Sequence, residues 1–112
     1  MLVMGLTFKE NCPDIRNTKI VDLITEFKDY GCDVEIYDPW ANPDDVMHEY
    51  GLELTNKISK IRNQTYDAVV LAVSHDEFKK MGADAIRGLL VESGVLYDIK
   101  YILPKTAVDG RL

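Results

Sequence analysis

The segment Tyr66 to His75, YDAVVLAVSH, carries a run of six apolar residues, Ala68 to Val73, rich in valine and bounded by polar residues. A run this short and this uniformly apolar suits a strand covered on both faces, as in parallel sheets, and not the alternation of a sheet with one wet face. It is expected at the centre of a sheet. A parallel central strand obliges the rest of the chain to supply crossover segments, usually helical, that return it to the same end of the sheet.

The remaining sequence meets that demand. Leu2, Val3 and Met4 read as a buried first strand. Ile20, Leu23, Ile24 and Phe27 fall at i, i+3, i+4 and i+7, one apolar helical face, with Asn17 or Thr18 as cap and Gly31 as stop. DVEIYDP predicts a strand over residues 33 to 38 ended by Pro39. NPDDVMHEYG predicts a short helix with proline and acids in its first turn and Gly51 behind it. Leu52 to Leu54 reads as a brief edge strand, HDEFKKMG and ADAIRGLL as one or two helices, and GVLYDIK as a last strand running into a polar end. Strands separated by helices with short connections imply right-handed crossovers. The expected fold is α/β: a Rossmann-like, doubly wound, mainly parallel sheet in three α/β/α layers, with residues 1–112 forming a single domain.

Composition narrows the partners. At 112 residues and a formal net charge of −6, the chain has no basic field to attract nucleic acid or an anionic membrane surface. Any anionic ligand must be held by a few local cations. The apolar run at Ala68 to Val73 is far short of the roughly 20 residues that span a bilayer. MLVMGLTF has no basic region ahead of its apolar residues, so neither a membrane span nor an export signal is expected. Cys12 and Cys32 are too few for a disulfide framework and lack CxxC spacing, which points to free thiols in a reducing cytoplasm. Because the chain opens directly on a strand, a piece of a longer protein is expected.

Doubly wound sheets receive ligands beyond the carboxyl ends of their strands. The candidates are therefore Thr7, Phe8 and Lys9; Asp38, Pro39 and Trp40; Ser74, His75 and Asp76; Asp98 and Lys100. Gly5 stands alone, without the further glycines of a GxGxxG turn, so no dinucleotide pyrophosphate cradle is expected in this chain. Asp38 reads as a strand-ending turn rather than a ribose-binding acid. His75 reads as part of a helix start capped by Ser74, with Asp76 and Glu77 in the first turn, rather than as a general base. His48 has no partner at metal-ligand spacing, and no metal site is expected. Lys9 and Lys100 follow strands at the ligand edge, where an ammonium can meet a phosphate or carboxylate, although spacing alone favours ordinary solvated lysines.

GLTFKENCPDIRNT followed by a helix, then VEIYDPW, YDAVVLAVSHDEFK and VLYDIK, resembles the C-terminal, UDP-binding domain of the UDP-glucose/GDP-mannose dehydrogenase family across nearly the whole chain. The wording FKENCPDIRN is similar to the branch that oxidises UDP-N-acetylhexosamines for bacterial surface polysaccharides. The resemblance implies a parent enzyme with an N-terminal NAD-binding domain, a helical connector that also forms a dimer, and this domain closing over the nucleotide-sugar. The parent would oxidise the sugar C6 alcohol to a carboxylate in two NAD-dependent steps, the second through a thioester on a cysteine. That cysteine lies in a glycine-rich segment upstream of the Phe-Lys motif, and neither Cys12 nor Cys32 matches it, so no catalytic residue falls in this chain. Carried over by position, Phe8 and Lys9 would contact the UDP-sugar, Arg16 would reach NAD across the domain interface, and Asp14 would fix the loop. Lys100 falls where many members carry an arginine in an Asp-x-Arg pattern. Lysine keeps the charge but not the bidentate fork.

A second class stays open at this level. A phosphoacceptor receiver domain also has a parallel α/β sheet, a Ser or Thr after one strand (compare Ser74) and a Lys after the last (compare Lys100). It needs paired acids after the first strand to bind magnesium, where this chain has Leu6, Thr7 and Phe8.

Overall fold

A computed structural model of the chain describes residues 1–62 and 64–111, the Arg111 side chain excepted. In chain order it contains β1 (Leu2–Met4), α1 (Ile20–Asp29), β2 (Glu35–Tyr37), α2 (Pro43–Tyr50), β3 (Tyr66–Leu71), α3 (Asp76–Arg87), β4 (Leu90–Asp98) and β5 (Gly110–Arg111), with short 3-10 turns at Ile58–Lys60 and Lys105–Ala107. The strands form one sheet in the order β2-β1-β3-β4-β5. Every adjacent pair is parallel. β3, the strand carrying the valine run, is the middle one, and Val69, Leu71 and Ala72 are wholly buried.

Helix boundaries follow local chemistry. α2 begins at Asn42, whose side chain accepts from the Asp44 and Asp45 amides, with Pro43 in the first turn, and it ends on Gly51 in the left-handed conformation. α1 ends where Gly31 N–H donates to Lys28 O and Cys32 N–H to Phe27 O, the paired bonds of a Schellman stop, with Gly31 at φ 87°. Its start differs from expectation. Lys19 occupies the N-cap position without a side-chain bond, and Thr18 Oγ1 accepts from the Ile20 amide at 3.2 Å. α3 is broken at Gly82, φ 76°, so HDEFKKMG and ADAIRGLL are two segments joined across a kink.

Two layers of side chains close over the sheet. Val3, Leu6, Ile24 of α1, Ile36 and Val46 of α2 share one core, while Met4, Ile61, Leu71, Leu96 and Phe78 and Ile86 of α3 share the other. The β2-to-β3 connection changes face at Thr55, which makes a parallel bridge to Tyr37. The expected edge strand at Leu52 to Leu54 is thus reduced to that bridge one residue later. Two further differences lie at the carboxyl end. β4 starts at Leu90, earlier than GVLYDIK suggested, because a register irregularity lets Leu90 pair with Tyr66 before Val95 pairs with Ala68. β5 was not expected, and two residues leave too little pattern to read. The α1-side layer is incomplete over β4, where Val95 and Tyr97 are 48 % and 36 % exposed. Among the described residues no helix is long and apolar enough to cross a membrane.

Candidate functional site

The carboxyl ends of β1, β3 and β4 border a cleft of about 280 Å³. Its walls are the loop Thr7 to Glu10, the segment Asn17 to Ile20 that leads into α1, the segment Ala72 to Ser74, and Lys100. Lys9, Lys19 and Lys100 are three lysines among its lining residues, and Glu10 is the one acid. Phe8 is 58 % exposed at the rim.

Gly5 is not among the cleft's lining residues and does not act as a phosphate-loop glycine. It sits at φ 105°, and a Cβ there would lie 2.6 Å from Cβ of Val73. The single glycine therefore lets β1 and β3 approach closely at their ends, and its open face is taken by Val73. A dinucleotide pyrophosphate has no glycine-lined approach here.

The loop after β1 is held by buried polar groups. Asp38, wholly buried, accepts on Oδ2 from the Leu6 amide at 2.7 Å, the Thr7 amide at 3.0 Å and His75 Nε2 at 3.0 Å. Its Oδ1 accepts from the Trp40 amide at 2.8 Å, which is the expected strand-ending turn. Burial pushes the Asp38 carboxyl up, but the bonds from His75 and from the Leu6 and Thr7 amides outweigh it and hold the group below its ordinary range. Phe8 N–H donates to Asp14 O at 2.7 Å, closing the loop's far side.

His75 corrects the sequence expectation. Its side chain makes no cap bond to α3, and His75 rather than Ser74 holds the N-cap position. The imidazole is wholly buried, with the Phe78 ring edge-on at 5.3 Å and the Trp40 ring stacked at 6.3 Å between centroids. The cap comes from across the cleft edge, where Asn11 Oδ1 accepts from the Asp76 amide at 2.9 Å. Reading His75 as local capping missed that parallel strands β2 and β3 end at the same edge. A polar residue directly after each apolar run was the available signal.

Asp98, also wholly buried, organises the loop after β4 by accepting from the Lys100 amide at 3.1 Å and the Leu103 amide at 2.9 Å. Phe8, Lys9 and Lys100 thus share one cleft. Arg16 does not. It lies in a separate shallow groove with Asp14, Asp45 and His48, and its Nε and a terminal nitrogen donate to the two Asp14 carboxylate oxygens at 3.1 and 3.2 Å. Those bonds hold the exposed Asp14 carboxyl below its ordinary range. Cys12 and Cys32 are both free and half-buried. Among the described residues no group of three His, Cys, Asp or Glu side chains is placed to hold a metal ion.

Comparison with known proteins places this arrangement. Residues 2–105 match the UDP binding domain of the UDP-glucose/GDP-mannose dehydrogenase family. The chain is 47 % identical over 112 residues to a UDP-N-acetyl-D-glucosamine 6-dehydrogenase from Salmonella typhi, covering all of this chain and 26 % of that protein. It is 49 % identical over the same length to the enzyme of that name from Pseudomonas aeruginosa, again 26 % of the relative. The solved structure of a UDP-D-ManNAc dehydrogenase from Pyrococcus horikoshii shares the fold, with a TM-score of 0.74 at 21 % identity over 98 % of this chain and 24 % of that one. The chain spans about a quarter of the length of these relatives. By the extent of the match and these identities, the chain belongs to the UDP-glucose/GDP-mannose dehydrogenase family, whose UDP binding domain it carries.

Proposed function

We propose that the chain is the nucleotide-sugar-binding, C-terminal domain of an NAD-dependent UDP-sugar 6-dehydrogenase, residues 1–112 of which form one unit of a longer, cytoplasmic and homo-oligomeric parent. The substrate class is a UDP-N-acetylhexosamine, oxidised at C6 to a uronic acid for surface polysaccharide. The observation that carries the reading is the convergence of Phe8, Lys9 and Lys100 on one cleft at the carboxyl edge of the sheet. Three lysines and the N-terminal end of α1 suit a diphosphate, and an exposed phenyl ring suits a base or sugar face. The lysines also answer the question raised by the net charge of −6, since an acidic chain needs placed cations to hold an anion.

NAD does not fit the residues present. The β1–α1 loop offers one glycine, and Val73 occupies the space its missing side chain leaves. The cofactor is therefore assigned to another domain of the parent, with Arg16 presented toward it from the groove outside the UDP-sugar cleft. A receiver-like regulatory module remains the alternative reading. The strand order is shared with that class, but no paired acids stand directly after β1, where the chain reads Gly5, Leu6, Thr7, Phe8, and Asp38 and Asp98 spend their oxygens on backbone amides.

Titration calorimetry of the chain with UDP-N-acetylglucosamine, free N-acetylglucosamine, NAD and magnesium tests the proposal. Binding of the UDP-sugar alone supports it. Binding of magnesium without the UDP-sugar would favour the receiver-like alternative.

A further inference from the structure

His75 and Asp38 are the most deeply placed polar pair at the carboxyl edge, and the proposed function leaves both without a role. Each is 0 % exposed. Desolvating an imidazole and a carboxylate is costly, and replacing such a pair with apolar side chains is often neutral or stabilising. Stability alone is a weak reason for its presence. What distinguishes this pair is its link to the cleft rim.

The Asn11 amide donates to His75 Nδ1 at 2.9 Å. Nδ1 therefore carries the lone pair and Nε2 the proton, which is donated to Asp38 Oδ2 at 3.0 Å with Thr7 Oγ1 3.2 Å away. Thr7 Oγ1 donates its own hydrogen bond to the Lys9 carbonyl at 3.0 Å. The same Asp38 oxygen takes the Leu6 and Thr7 amides. Asn11, at φ 55°, then turns its side chain to accept from the Asp76 amide. The backbone on either side of Phe8 and Lys9 is thus fixed to one buried centre, while the Phe8 ring itself is 58 % exposed and gains little from packing.

We infer that His75 is a positioning residue of the cleft: its neutral imidazole, oriented by Asp38, holds the Asn11 amide so that Phe8 and Lys9 are set in place before a ligand arrives. A rim ordered in advance loses less conformational freedom on binding. The ligand's identity rests on the proposed function above, whereas the ordering of the rim does not.

Three variants separate the contacts. His75→Gln places an amide near the Nε2 position and keeps a donor for Asp38, but offers Asn11 no acceptor. His75→Asn places an amide oxygen near Nδ1 and keeps that acceptor, but gives up Asp38. Asn11→Gly can keep the left-handed backbone and removes the side-chain bond to the Asp76 amide while adding glycine's backbone freedom, at an exposed residue where folding is not at risk. Backbone ¹⁵N relaxation of each chain without ligand reads the order of the Phe8, Lys9 and Asn11 amides, and titration with UDP-N-acetylglucosamine reads affinity. His75→Gln is expected to loosen those amides and to weaken binding about tenfold, and Asn11→Gly to do both to a smaller degree. His75→Asn is expected to restore rim order and most of the affinity despite a lower unfolding midpoint. A His75→Gln chain with native rim order and affinity, or a His75→Asn chain as loose as His75→Gln, would overturn the inference. If His75→Gln does not fold, a His75→Asn chain whose Phe8, Lys9 and Asn11 amides are looser than native overturns it instead. A native chain that binds no UDP-N-acetylglucosamine would refute the ligand reading, while rim relaxation would still decide the role of His75.

Discussion

The Asn11 amide and His75 Nδ1, 64 positions apart in sequence, meet at 2.9 Å at the edge of the sheet. Through that bond the loop after β1 is tied to the start of α3, so the cleft rim is continuous with the core. The loop after β4 hangs in the same manner from Asp98, which takes the Lys100 and Leu103 amides. Each cation-bearing loop of the cleft is thus suspended from a buried carboxylate at the end of its own or a neighbouring strand.

Asp38→Ala is expected to lower unfolding free energy by about 3 kcal/mol, because it strands the Leu6, Thr7 and Trp40 amides and the His75 N–H without their acceptor. Urea denaturation at neutral pH measures the loss. The Asp38 pKa is depressed in the folded chain, so its contribution is full above the unfolded carboxylate value of about 3.9 and disappears as pH falls through the folded value. The gap between native and variant should therefore shrink below about pH 4. A gap that widened there would contradict the assigned charge state. Asp14 and Asp109 are shifted in the same direction, but they are present in both chains and cancel.

Gly5→Ala is expected to destabilise by about 2–4 kcal/mol, since an added Cβ meets both a positive φ and Val73 at 2.6 Å. Thermal unfolding reads the effect. Gly51→Ala provides the contrast: its φ is 66° but nothing lies within 4 Å of the added carbon, so only the backbone cost of about 1 kcal/mol applies.

Those glycines show what pattern reading captured and what it did not. The valine run of β3, the apolar stripe of α1 and the Asn-Pro start of α2 are local signals, and the structure places all three where the sequence led. The Gly5–Val73 approach and the His75–Asp38 contact join residues of different strands, and nothing in either neighbourhood specifies the partner. β5 and the early start of β4 are likewise products of pairing across the sheet. Phe8, Lys9 and Lys100 were reachable because position after a parallel strand is itself a signal. That Arg16 lies outside their cleft, bonded to Asp14, was not.

Lys9→Ala and Lys100→Ala are each expected to weaken UDP-N-acetylglucosamine binding about threefold to tenfold, with a smaller salt dependence than the native chain, because both lysines line the cleft. Arg16→Ala should leave that affinity unchanged, since its groove is separate. Calorimetry at two salt concentrations distinguishes them, and an Arg16→Ala loss equal to that of Lys9→Ala would place the cleft wrongly.

The 112-residue chain alone is expected to produce no NADH from UDP-N-acetylglucosamine and NAD. Among the described residues, neither a cysteine for a thioester nor a glycine for a pyrophosphate turn lines its cleft. Absorbance at the reduced nicotinamide band checks this, and steady turnover would show that the reaction centre had been assigned to the wrong part of the parent.

The most direct test of the account is an NMR titration of the isotopically labelled native chain with UDP-N-acetylglucosamine. Saturable shifts are expected at the amides of Phe8, Lys9, Lys19, Ser74 and Lys100, which border the cleft, with Arg16 and His48 in the neighbouring groove undisturbed. Saturable shifts confined to Arg16, Asp45 and His48, or no saturable shift at any concentration, would contradict the assignment of the cleft as the nucleotide-sugar site.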